Sequence, residues 1–77
     1  MEQHTLTNGE TINVNYGSRK LQERMERNGW RMMLRESYQE SPSELYERLK
    51  ANGYKQVKVY WDSTMIRGIH TYFAFVK

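Results

Sequence analysis

LQERMERNGW at residues 21–30 and LYERLKANGY at residues 45–54 share Leu, Glu-Arg, Asn-Gly and a closing aromatic in one register. Each carries the same local instruction. Leucine starts an apolar stripe, glutamate and arginine turn to water, and glycine accepts the left-handed backbone that ends a helix. The aromatic then opens a strand. The pair therefore dictates two short helices, each delivering the chain into an extended segment. It reads as one structural problem solved twice, since two units are too few for a stacked repeat array.

The rest of the chain fits around these two units. ETINVNY, residues 10–16, alternates polar and apolar, with Ile12, Val14 and Tyr16 on one side, as a strand does. Ser18 suits a helix N-cap, and the first helix is predicted to run to Asn28 with Leu21 and Met25 inward. WRMMLRE, residues 30–36, is a strand with Trp30, Met32 and Leu34 on one side and Arg31, Met33 and Arg35 on the other. SPSE, residues 41–44, is a helix-start signal: Ser41 caps, Pro42 fits the first turn and Glu44 completes a capping box. That helix runs to Asn52 and buries Leu45 and Leu49, with Tyr46 at its margin. YKQVKVYW, residues 54–61, places Val57, Val59 and Trp61 on one face. After a turn at DST, MIRGIHTYFAFVK returns as a long strand with Ile69, Thr71, Phe73 and Phe75 on one side and a candidate bulge at Gly68. Residues 1–9 are expected to be a flexible start, with a hairpin turning at Asn8-Gly9 as the alternative. Residues 10–77 form a single domain.

This order predicts an α+β fold: a two-layer βαβαββ sandwich, with two short helices on one face of a mixed four-stranded sheet. Each helix makes a parallel crossover, and the last two strands form an antiparallel hairpin. The order of elements is similar to that of the Alba family of chromatin and RNA-binding proteins. It is also similar to the C-terminal domain of the third bacterial initiation factor. A likeness of element order implies a fold and transmits no function.

Composition excludes several chemistries. The 77 residues include no cysteine, which removes disulfides and thiolate metal sites and fits a cytoplasmic setting. Residues 1–11 lack the basic-then-apolar pattern of a leader, and no run approaches the ~20 apolar residues of a membrane span, so no membrane partner is expected. The two histidines, His4 and His70, are far apart, Asp62 is the lone aspartate, and neither a metal nor a cofactor is expected. NGETINVNYGSRK has glycines before a helix and lacks the Gly-Lys-Ser/Thr of a phosphate loop. Across residues 45–73, a helix, Asn-Gly-Tyr, a strand and then Gly-x-His-x-x-Phe resemble the HicA-type RNA-cleaving toxins, whose histidine sits in a similar strand. The resemblance implies a catalytic role for His70, but the gap from Gly53 to His70 is longer than that family's. One histidine without a positioned partner is a weak general base. His70 is therefore read as a structural or interface residue, kept among the partner-binding candidates, and the chain as no enzyme, with no catalytic residues.

Charge and aromatics carry the positive expectation. The net charge is +3 and arranged in blocks, with residues 17–35 strongly basic. At 100° per residue Lys20, Arg24 and Arg27 fall on one helical stripe, rotated away from Leu21 and Met25, and Arg31 and Arg35 extend it. A Glu23–Arg27 pair on an exposed helix is the purely structural alternative. Tyr60, Tyr72 and His70, with Met33 and Val76, are expected on an open sheet face, where tyrosine and arginine favour contact. The expected function is a small regulator or inhibitor that binds a protein or nucleoprotein partner through this basic and aromatic surface. In class it is similar to the phage and mobile-element proteins that block host enzymes, anti-CRISPR proteins among them. The alternative is direct RNA or DNA binding, with the stripe on phosphates and Tyr60 or Tyr72 stacking on bases. A second copy is a further candidate partner for the open face.

Overall fold

Ser18 and Ser41 start the two helices as their positions predict: each hydroxyl accepts the backbone N–H three residues on, from Leu21 and from Glu44, at 3.2 Å. The computed structural model describes residues 2–37, 40–62 and 70–77, with residues 34–37 and His70 described by backbone alone. Its elements are β1 (Glu2–Thr5), β2 (Thr11–Val14), α1 (Arg19–Arg27), β3 (Arg31–Ser37), α2 (Pro42–Ala51), β4 (Val57–Trp61) and β5 (His70–Val76). Gly29 has φ +90° and Gly53 φ +100°, the backbone state that lets each helix stop and the chain reverse. At the end of α1, Trp30 N–H donates to Met25 O and Gly29 N–H to Glu26 O, a Schellman closure. The shared sequence units thus give shared helix ends. The candidate bulge at Gly68 lies outside the described residues, as does Ile69.

β1 and β2 form an antiparallel hairpin, pairing Glu2 with Val14 through Thr5 with Thr11. Leu6 N–H donates to Glu10 O at 2.7 Å, Gly9 N–H to Leu6 O at 3.1 Å, and Asn8 Oδ1 accepts from Glu10 N–H at 2.9 Å. The turn at Asn8-Gly9 is therefore formed, and Glu2–Thr5, expected within a flexible start, is a strand. β3, β5 and β4 make a second sheet in that order, antiparallel throughout. β3 and β4 thus run parallel to each other on either side of β5. The four-stranded mixed sheet is corrected to sheets of two and three strands. β2 pairs with β1 and meets β4 through one parallel bridge, where Trp61 N–H donates to Asn15 O at 2.9 Å and Gly17 N–H to Trp61 O at 2.8 Å.

The helices do not share a face, which corrects the two-layer arrangement. Register places Met33, Ala74 and Val59 on one side of the three-stranded sheet and Met32, Phe75 and Lys58 on the other. On the first side Leu45 and Leu49 of α2 pack with Val57, Val59, Tyr72, Ala74 and Val76. On the second, Phe75 is also fully buried, and Met25 of α1 is buried as well. The approach to α1 is tight there: a Cβ on Gly17 would lie 2.7 Å from the Phe73 ring and 3.2 Å from Tyr60 Cβ. The cause is the run TYFAFV in β5, apolar toward both sides, so each face needs its own cover. Burying a side chain such as Phe75 is worth about 1.5–3 kcal/mol, enough to outweigh a one-sided arrangement.

Candidate docking surface on the first helix

Leu21 and Met25 turn α1 onto the sheet, and the helical period then carries Lys20, Arg24 and Arg27 outward, where all three are exposed. Among the described residues, Arg48 and Glu40 form an ion pair at 2.8 Å, and His4 Nε2 hydrogen-bonds the Glu2 carboxylate at 2.8 Å. The Glu23–Arg27 pair that a purely structural role would use is not formed, and none of the three stripe cations is neutralised by a described carboxylate.

Tyr60 adjoins this stripe. It is half-buried, meets the Phe75 ring edge-on at 5.9 Å, and its phenol is pushed up by burial while the Arg24 guanidinium pulls it back down. Trp30 extends the same surface. Lys58 Nζ lies 5.5 Å and Lys77 Nζ 5.2 Å from its ring centre, so two ammonium groups attend one indole. Lys77 also donates to Asn28 O at 2.9 Å, placing a cation at the carbonyl end of α1. Trp30, Lys58 and Lys77 were not among the expected site residues. Their signal was the alternation of Lys58 against Val57 and Val59, which sets it on the α1 side.

The other expected residues separate from this group. Arg31 is exposed, but its register opposite Val76 puts it on the α2 side, where its guanidinium donates to Tyr54 Oη at 2.7 Å. Tyr72 is corrected from a surface aromatic to a core one. It is fully buried, and its hydroxyl donates to Glu40 O. Burial, with Glu40, Glu44 and Glu2 nearby, pushes its phenol up to about 12. Val76 is buried and Met33 packs on the same core, so the face expected to be open around them is covered by α2. Arg35 and His70 stand opposite Tyr72 and Ser37 in register, and their side chains lie outside the described ones.

Between β2 and β4 the chain leaves a cleft of about 350 Å³, lined by Asn13, Asn15, Tyr46, Lys58, Val59 and Tyr60 among others. Among the described residues no three His, Cys, Asp or Glu groups gather to hold a metal ion, and no helix is long and apolar enough to cross a membrane. No protein-family model matches the chain, and no curated protein or solved structure matches it.

Proposed function

We propose that the chain is a small non-enzymatic regulator or inhibitor that docks on an acidic surface of a protein or nucleoprotein. The observation that carries this reading is the stripe of Lys20, Arg24 and Arg27, exposed and without an ion pair among the described residues. Cations left without internal partners keep their full charge for a partner, where they steer encounter and set orientation. Tyr60 and Trp30 border the stripe with half-buried aromatic surface, the kind that interface centres favour. The phage-encoded and mobile-element inhibitors remain an analogy of class.

The test is affinity capture from host extract, with and without nuclease, comparing the parent chain with the Arg24→Glu/Arg27→Glu variant. The expected result is a partner retained through nuclease treatment and lost, by about tenfold or more, in the variant. A partner lost to nuclease, or an affinity that falls steeply with salt on RNA or DNA alone, replaces this reading with direct nucleic-acid binding. Equal capture by both chains removes the stripe from the function.

A further inference from the structure

Backbone pairing in the two sheets fixes which groups face the β2–β4 cleft. Gln56 and Lys77 exchange both N–H···O bonds, and Asp62 N–H donates to Thr71 O. Alternation along an antiparallel pair then turns residues 56, 58, 60 and 62 toward β5 and residues 57, 59 and 61 away from it. The outward groups of Trp61 are taken by Asn15 O and Gly17 N–H. In the hairpin, the Leu6-to-Glu10 bond sets Ile12 and Val14 toward β1 and Asn13 and Asn15 toward β4. Among the described residues, nothing bonds the outward N–H and C=O of Asn13, Val57 and Val59. The cleft therefore has an open strand edge on each wall.

The fold already holds one strand in this setting. β5 lies between β3 and β4, which are parallel to each other, and is antiparallel to both. β2 and β4 are likewise parallel at their bridge. We propose that this cleft accepts an extended segment of a partner polypeptide, antiparallel to both strands, with an acidic side chain toward Lys58. Main-chain bonding to two edges recognises an extended backbone, and Lys58, exposed on the cleft wall, supplies the charge preference. The open stretch from Val57 to Tyr60 spans about three to four residues of strand. The proposal rests on the reading that the chain binds a protein, and it names the form in which that protein is held.

The probe is a displayed library of random linear heptapeptides, selected against the full chain, with the enriched peptide followed by NMR. Acidic and β-branched residues are expected at alternating positions. Amide exchange at Asn13, Val57 and Val59 is expected to slow about tenfold or more on binding. Lys58→Glu, an exposed change, is expected to weaken the peptide about tenfold. An amide-to-ester replacement at Val59, made by chemical synthesis, keeps the side chain, removes the outward donor and is expected to weaken it similarly. In the Lys20→Glu/Arg27→Glu chain, saturating peptide is expected still to slow exchange at Val57 and Val59, so failure of the stripe and failure of the cleft are told apart. The proposal is overturned if no peptide is selected, or if the selected peptide shifts residues 19–27 and spares β2 and β4. It is also overturned if Val57 and Val59 exchange as slowly as Lys58 and Tyr60 in the dilute free chain, or become protected by concentration alone, the mark of a second copy.

Discussion

Tyr72 is fully buried among apolar neighbours of the three-stranded sheet and α2. Its hydroxyl needs a partner when buried, and Glu40 O supplies one. Tyr72→Phe is expected to cost about 1–3 kcal/mol, measured by denaturant unfolding, because it removes the buried hydroxyl and the hydrogen bond it donates to that carbonyl. Its phenol also gives a pH signature. The folded value, about 12, lies above the ordinary 10.0, so the unfolded chain releases the proton first as pH rises. The stability this group contributes is complete below pH 10 and is lost as pH climbs through 12. Ultraviolet titration should show a late-ionising tyrosine that disappears in Tyr72→Phe. Gly17 is the second sensitive position. Gly17→Ala drives a methyl into the Phe73 ring and should cost about 1–3 kcal/mol, read in the same unfolding experiment.

At the scale of elements, the hairpin and α2 are joined by Glu47, whose Oε1 accepts from Thr7 N–H at 2.8 Å and Thr7 Oγ1 at 2.6 Å. These bonds, the hydroxyl's first, lower the Glu47 carboxyl below its ordinary 4.5. A lowered folded value means the contribution is present above the ordinary value and fades as pH falls through the folded one. Glu47→Gln should therefore speed amide exchange in residues 2–14 at neutral pH, and acid should do the same to the parent chain. Helix ends and caps were legible in the sequence because Ser18, Ser41, Gly29 and Gly53 act within a few residues of themselves. The stripe of Lys20, Arg24 and Arg27 was legible because a helical period needs no tertiary knowledge. The place of Tyr72 was not, since alternation in β5 gives two faces without saying how many are covered. The unbroken apolar run from Tyr72 to Val76 held that answer. Neither the strand order nor the pairing of Lys58 and Lys77 around Trp30 was legible, because both join distant parts of the chain.

For the whole molecule, charge is the variable to follow. Neutral replacement, Arg24→Gln/Arg27→Gln, should lower stability by no more than about 1 kcal/mol, the cost of two cations lost from the last turn of α1. Partner capture should fall, and the contrast between the two measurements separates a docking surface from a structural one. The three Asn-Gly turns bear on the same charge over longer times. Asparagine before glycine cyclises and hydrolyses to a carboxylate when the glycine nitrogen is free to attack. Here the N–H of Gly9, Gly29 and Gly53 is held by Leu6 O, Glu26 O and Lys50 O. Folding therefore slows the ageing of all three, while each conversion in an unfolded chain releases ammonia and adds one negative charge. Three conversions would erase the net +3, so a sample's drift toward acidic elution on ion exchange is a clock of its time spent unfolded.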